Sequence, residues 1–202
     1  MPAATNRDKT LKLARRARGV TPRELTEAGI HRQMLTRLVA EGQIERVARG
    51  VYRLAEQPVT EKHALAVATA AVPQGAICLL SALQFHGLGT QLPSEVWMAI
   101  DRRAWRPKLD YPPLRIVRFT GAALTQGIER HTIEGRTVRV YGVAKTLADC
   151  FKYRNKIGLD VALEALREAW RRKRFTMDEL DRYAKICRVQ RVMRPYLEAL
   201  TS

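Results

Sequence analysis

The chain has 202 residues, of which 46% are hydrophobic, and its 36 Lys and Arg outnumber its 20 Asp and Glu, for a formal net charge of +16. This length allows one or two domains with a proper core. No run approaches the roughly eighteen apolar residues of a membrane helix. The basic N-terminus lacks the apolar stretch of a secretory signal, so we expect a cytoplasmic protein. The positive charge favours polyanionic partners such as nucleic acids.

The first motif in the chain is a pair of short helices around a tight turn. A basic helix is expected over Lys9–Arg18, and Thr21 and Glu24 then have the spacing of a capping box, with Pro22 at the first helical position. Gly29 ends this helix by allowing a left-handed turn. The following residues place an apolar stripe on one face of a second helix, which Gly42 ends: Ile30, Met34, Leu35, Leu38 and Val39.

Two short strands follow the second helix. Gln43–Val47 and Val51–Leu54 have strand-like composition and are joined by a tight turn at Ala48–Gly50. Two helices followed by such a hairpin are typical of a winged helix-turn-helix, in which one helix enters a groove of DNA. The sequence therefore predicts a DNA-binding module.

The polar side of the second helix supplies candidate contacts to DNA. Arg and Gln form bidentate hydrogen bonds to base edges, and Thr can contact a thymine methyl group. The residues predicted to read bases are Arg32, Gln33, Thr36 and Arg37. His31 lies at the helix start, where phosphate is favoured, and Arg46, Arg49 and Arg53 are predicted to hold the DNA backbone or a groove edge. Each residue alone is also compatible with an ordinary solvated face.

A second, mixed domain is predicted after a polar, proline-containing stretch near Ala55–Thr60, which divides the chain into residues 1–57 and 58–202. The predicted class is α+β, with a small β-sheet and a C-terminal helical bundle after the winged helix-turn-helix. Helices are expected at 62–72, 77–86, 143–155, 159–174, 176–187 and 189–200, strands at 96–100 and 114–119, a helical turn within 121–127, and a hairpin from 129–133 and 136–141.

Three charged groups lie in this second part. Lys145, Asp149 and Lys152 share the side of a helix opposite its apolar face, which fits a recognition stripe but better fits a surface ion-pair ladder. The loop Asp101–Arg106 combines a tryptophan with Arg102, Arg103 and Arg106, which suits phosphate contact and base stacking, or equally a basic loop with a packed Trp. A basic cluster ends one helix and serves either a polyanion or the helix dipole: Arg167, Arg171, Arg172, Lys173 and Arg174.

Enzyme signatures are missing from the sequence. There is no phosphate-binding loop, dinucleotide turn, nucleophile elbow or HExxH motif. His63 and His86 are expected to be satisfied structural residues, and the spacing of Asp101, Asp149 and Glu164 does not require a metal. Cys78, Cys150 and Cys187 are expected to be buried free thiols. We therefore expect no catalysis, no cofactor and no metal.

Three segments in this order resemble the AbiEi family of type IV toxin–antitoxin antitoxins. They are the winged segment from Val20 to Leu54, CLLSALQFHGLGTQLPSEVWMAID from Cys78, and VYGVAKTLADCFKYRNKIGLDVALEAL from Val140. The blocks at 81–88 and 145–154 are more specific than a generic winged helix.

The resemblance implies a two-part antitoxin. The N-terminal part would bind inverted repeats in its own promoter and repress the operon, and the C-terminal part would counter a nucleotidyltransferase-like AbiEii toxin, with direct contact left open. The resemblance assigns the antitoxin surface to the second specific block: Lys145, Thr146, Asp149, Lys152 and Arg154. One alternative is a transcriptional regulator of an unrelated operon whose C-terminal domain senses a ligand or dimerises. Another is a nucleic-acid-modifying enzyme with an N-terminal DNA-binding domain.

Overall fold

The structure, a computed structural model, describes residues 5–16, 19–56 and 60–201. Its contacts divide the chain into two units. The first consists of Met1–Pro73, Pro107–Pro113 and His131–Val138, and the second contains the remaining segments. The predicted boundary between residues 57 and 58 lies outside the described residues. Residues 60–73, which we predicted in the second domain, group with the first unit.

The first unit has the predicted α+β character, with helices followed by a hairpin. Its elements are α1 (Asn6–Arg16), α2 (Pro22–Glu27), α3 (Gln33–Ala40), β1 (Ile44–Ala48), β2 (Val51–Leu54) and α4 (His63–Ala71). The predicted end of α1 at Arg18 falls outside the described residues. Strands β1 and β2 pair antiparallel, and Val20 forms a bridge to Tyr52, which ties the segment before α2 to the hairpin.

An apolar core holds these helices against the hairpin. Its fully enclosed members are Ala14, Val20, Leu25, Ile30, Leu35, Leu38 and Ile44. Val39 was predicted on the buried stripe but is 38% exposed. Leu35 and Leu38 face the core together, whereas Val39, one position further round the helix, turns outward.

A charged turn far along the chain also belongs to the first unit. Glu134 accepts hydrogen bonds from the backbone N–H (2.9 Å) and hydroxyl (2.8 Å) of Thr60, and its other oxygen lies 2.8 Å from Nδ1 of His63. Arg136 donates to both carboxylate oxygens of Glu24, at 2.7 and 3.2 Å. This bidentate geometry fixes the orientation of the guanidinium as well as its position.

The second unit contains the other strands and the C-terminal helices. Its elements are β3 (Ala76–Ile77), α5 (Leu79–His86), β4 (Val96–Asp101), β5 (Leu114–Phe119), α6 (Ala122–Thr125), β6 (Ile128–Ile133), β7 (Arg136–Tyr141), α7 (Val143–Lys152), α8 (Arg154–Ile157), α9 (Leu159–Arg171), α10 (Met177–Cys187) and α11 (Gln190–Thr201). Residues 131–138 of the hairpin formed by β6 and β7 are those that group with the first unit.

The described strands outside the β1–β2 hairpin form one sheet in the order β5-β4-β3-β7-β6. Strand β4 runs parallel to β5 and antiparallel to β3. Ile77, which we predicted to open a helix, pairs instead with Met98 and Val140 in the sheet, and the helix begins at Leu79. The prediction was wrong here because a short apolar run does not distinguish a strand from a buried helix segment.

Helix α7 forms the centre of the second unit. It lies against α5, α9 and α10, and every residue from Val143 to Phe151 is buried. The three free cysteines are buried, as predicted, and burial raises the pKa of the Cys187 thiol to about 12. In the described part of the chain, no helix is long and apolar enough to cross a membrane.

The contacts of Glu24 and Glu134 make the first unit sensitive to acid. Burial alone would raise the pKa of both carboxyls, but hydrogen bonds from Arg136 to Glu24, and from His63 and Thr60 to Glu134, hold each pKa below its ordinary value. The native state therefore binds fewer protons than the unfolded chain. The stabilisation is complete above the unfolded pKa of about 4.3 and is lost as the pH falls through the native values.

In the wild type, we expect the free energy of unfolding to decrease as the pH falls from about 6 to about 3. In the double variant Glu24→Gln, Glu134→Gln, this decrease should be smaller by about 1 kcal/mol. The figure is small because the Glu24 side chain is 36% exposed and solvent screens its charge. Urea unfolding across this range measures it. Glu27→Gln, which removes the exposed partner of Arg23 on the same helix, is the matched control. An unchanged pH slope in the double variant would contradict the prediction.

Candidate nucleic-acid interface

Helix α2 and the turn after it position α3. The capping box is present: Glu24 accepts from the backbone N–H of Thr21 (2.7 Å), and the Thr21 hydroxyl accepts from that of Glu24 (3.3 Å). Gly29 has a φ of +71°, and the N–H of Ile30 returns to the carbonyl of Leu25 at 2.8 Å. Since only glycine adopts this conformation without strain, the turn angle is set by local sequence.

All five residues predicted on the polar side of the second helix are exposed. They are His31, Arg32, Gln33, Thr36 and Arg37. The helix begins at Gln33, and Arg32 caps it without a side-chain hydrogen bond. Nδ1 of His31 instead accepts from the backbone N–H of Gln33 at 3.3 Å. The imidazole therefore lies at the positive end of the helix. The side chains of Arg32 and Gln33 face solvent.

One carboxylate lies at the far end of this surface. Glu41 accepts from Nε of Arg37 at 2.9 Å and from Nε of Arg7 at 3.4 Å. The bond from Arg37 is the largest influence on Glu41, and with that from Arg7 it outweighs the effect of burial and lowers the pKa of the carboxyl. Two cations thus share one anion, and the Arg37 side chain remains 70% exposed. Because exposed pairs are weak, a phosphate or base edge can displace Glu41 from Arg37.

The hairpin presents its three arginines differently. Arg49 lies at the turn and is exposed, and Arg46 is exposed while its Nε donates to the carbonyl of Ala48 at 3.4 Å. Arg53 is paired across the strands with Glu45, and only 19% of its side chain is accessible. Arg46 and Arg49 are therefore better placed than Arg53 to contact a DNA backbone.

Helix α1 adds residues that the sequence did not single out. Asn6 lines a concavity beside α3 together with Ile30, His31, Gln33, Met34 and Arg37, and Arg7 reaches the same end of α3 through Glu41. The basic character of the N-terminal segment was visible in the sequence. The pairing of α1 with α3 was not, because it depends on tertiary packing.

The predicted antitoxin surface is only partly at the surface. Lys145 and Thr146 are fully buried, and Asp149 is 1% exposed. The prediction that Lys145 and Asp149 share an exposed stripe with Lys152 was wrong, and Thr146 is not on the surface either. Lys152 is exposed and Arg154 is half-buried. The physical reason is that α7 is covered on both its apolar and its charged sides by neighbouring elements of the second unit.

Lys145 and Asp149 form a buried ion pair on successive turns of α7. The Lys145 ammonium lies 4.2 Å from the ring centre of Tyr141 and 4.8 Å from that of Phe119. Asp149 also accepts a hydrogen bond from Sγ of Cys187 at 3.1 Å. Both charges therefore have partners, which is the condition for tolerating them inside a protein.

The remaining candidates lie apart from this pair. The basic residues of the Asp101–Arg106 loop and of the end of α9 are exposed, although Arg172 pairs with Glu168 and donates to the carbonyl of Gly87. His86 is hydrogen-bonded to the carbonyl of Tyr141, so it and His63 are structurally satisfied as predicted. Among the described residues, no group of three His, Cys, Asp or Glu could hold a metal ion.

The comparison with protein families points to the same module. Residues 8–55 match a family model described as a transcriptional regulator, AbiEi antitoxin. This confirms the predicted resemblance for the N-terminal segment, which carries the helices and the hairpin just described. A search of curated proteins found no match.

We expect Lys145→Met to lower the free energy of unfolding by about 3–5 kcal/mol, because it leaves the Asp149 carboxylate buried without its partner. Combining it with Asp149→Leu removes both charges and should restore most of the stability. Urea unfolding followed by circular dichroism measures both effects. Lys152→Met changes an exposed lysine of the same helix and should have little effect. A wild-type urea midpoint for Lys145→Met would show that the pair is not what keeps Asp149 inside the protein.

Proposed function

We propose that this protein is a DNA-binding transcriptional regulator that represses its own operon and also acts as an antitoxin. The observation that carries the proposal is the exposed polar side of α3, together with the exposed Arg46 and Arg49 of the hairpin, on the segment that matches the regulator family. The net charge of +16 agrees with a polyanionic partner. The inverted repeats of its own promoter are the proposed target.

In this proposal α3 lies in the major groove. Arg32 and Arg37 suit guanine edges, Gln33 suits adenine, and Thr36 can contact a thymine methyl group. Arg46 and Arg49 hold phosphates on either side, while His31 is placed for a phosphate at the helix start. Base contacts supply sequence preference, and the backbone contacts supply affinity that depends on salt.

We expect Gln33→Ala or Arg37→Ala to weaken binding to promoter duplex by about 1–3 kcal/mol and to relax the base preference at one position. Arg49→Ala should instead weaken binding to all duplexes alike and reduce the salt slope by about one unit. Fluorescence anisotropy with promoter, mutated and unrelated duplexes at several salt concentrations distinguishes the two effects.

The matched control is Arg194→Ala. Arg194 also pairs with a glutamate four residues later and is similarly exposed, at 78% against 70% for Arg37, but it lies on α11 in the second unit. It should leave promoter recognition intact. Equal loss on every duplex for Arg37→Ala would mean that this face of α3 does not read bases.

We further propose that the C-terminal part counters a nucleotidyltransferase-like toxin encoded beside this gene. The support is the resemblance of the 145–154 block to AbiEi antitoxins, together with the exposed charge of Lys152 at the end of α7. In this proposal Lys152 and Arg154 contribute to the acting surface. The buried pair of Lys145 and Asp149 stabilises α7, which ends at Lys152.

Co-expression with that toxin tests the antitoxin role in the full chain. A variant with Arg32, Gln33 and Arg37 changed to Ala should lose repression but still restore growth. Lys152→Glu in the same background should reduce growth rescue, whereas Lys185→Glu, which changes an exposed lysine on α10, should not. Loss of rescue in the triple variant, at equal protein level, would show that neutralisation depends on promoter binding and would contradict a separate antitoxin surface.

A further inference from the structure

The loop after β4 presents a tryptophan to solvent. Trp105 is 96% exposed, although tryptophan has the largest apolar side chain available to a protein. The sequence left open whether this residue packs inside the loop or faces outward, and the structure places it outward. Isolated exposed apolar residues are common in folded proteins. Exposure alone therefore does not make Trp105 a binding residue, and a ligand is inferred from the residues around it.

The backbone that leads to Trp105 is held in place. Arg118 on β5 donates from one Nη to the carbonyls of Asp101 and Arg102, at 3.0 Å each, and to that of Ala104. The carboxylate of Asp101 accepts from the backbone N–H of Arg103 at 2.8 Å. A loop that is already ordered loses less conformational freedom when it binds a partner.

The charge around Trp105 is positive. Arg102, Arg103 and Arg106 are all exposed, and in the part of the chain that the structure describes none of them forms an ion pair. Asp101 is the one acidic residue within Asp101–Arg106, and its carboxylate is engaged by the loop backbone. Three exposed arginines therefore lie within three residues of an exposed tryptophan.

We propose that the loop Asp101–Arg106 binds single-stranded nucleic acid, with Trp105 stacked on an unpaired base and its arginines on the flanking phosphates. Every base has a π-face, so an indole ring can stack without reading sequence, and guanidinium groups suit phosphate geometry. A protein partner would need acidic groups opposite all three arginines. Nucleic acid supplies regularly spaced anions and stacking surfaces in the same ligand. This site lies outside α3 and the hairpin and does not depend on promoter binding.

The test uses the full chain with Arg32, Gln33 and Arg37 changed to Ala, so that the proposed duplex-binding face does not contribute. Anisotropy is measured with fluorescent oligo-dT and oligo-U. Trp105→Ala should reduce affinity by about fivefold to 150-fold, the range that one lost stacking contact corresponds to. Trp105→Phe, which retains a smaller ring, should lose less. Changing Arg102, Arg103 and Arg106 to Gln should reduce the salt slope by about two units.

Leu92→Ala is the matched control, because Leu92 is also a highly exposed apolar residue (81%) but lies outside the basic loop. It should bind like the parent protein. Tighter binding of oligo-U than oligo-dT would support the site and indicate a contact to the 2′-hydroxyl, and equal binding would support a base-and-phosphate contact.

Oligonucleotide affinity that is unchanged by Trp105→Ala, or that the parent protein lacks altogether, would overturn the proposal. If the loop instead binds a protein, the parent protein should lack affinity for the oligonucleotides. Failure here is distinct from failure of promoter recognition, because the latter is measured on duplex DNA with α3 variants that leave Trp105 in place.

Discussion

The exposed face of α3 depends on one apolar contact. Leu35 and Leu38 are three residues apart, so they lie on the same side of the helix, and both are buried in the apolar cluster that includes Leu25 and Ile44. Burying this side fixes the rotation of the helix about its axis. The opposite side, with Gln33 and Arg37, is thereby turned outward, and every proposed DNA contact of α3 follows from this rotation.

Glu24 connects this local geometry to a distant part of the sequence. Its carboxylate closes the capping box of α2 with Thr21 and also accepts both bonds from Arg136, which is 112 residues away. The same side chain therefore fixes where α2 begins and where the turn before Arg136 lies. The Glu24 carboxylate must accept from Thr21 and from Arg136 at the same time, and few positions of the side chain allow both. This favours a single arrangement of the first unit.

The sequence predicted best those features that depend on neighbours along the chain. The capping box at Thr21, the turn at Gly29 and the exposed side of α3 each arise within a few residues, and all are present. The pairing of Glu24 with Arg136 could not be predicted, because no local pattern indicates which distant cation approaches a carboxylate. The same holds for Arg53, whose partner lies across the strand pair.

The prediction for α7 was wrong for a related reason. A helix with apolar residues on one side and Lys145 and Asp149 on the other has the pattern of a surface helix. An oppositely charged pair on adjacent turns can also be buried together, and spacing alone does not separate the two cases. Only the elements packed around α7 decide the outcome, and α5, α9 and α10 come from other parts of the chain.

The first unit is built from three separate stretches of chain, and this limits how the gene can recombine. A recombination event that moved only the N-terminal stretch into another gene would separate Glu24 from Arg136 and Thr60 from Glu134. An exchange that keeps both contacts needs a recipient with a glutamate and an arginine at the same hairpin turn. The contacts of Glu24 with Arg136 and of Thr60 with Glu134 therefore link the N-terminal stretch to sequence far downstream.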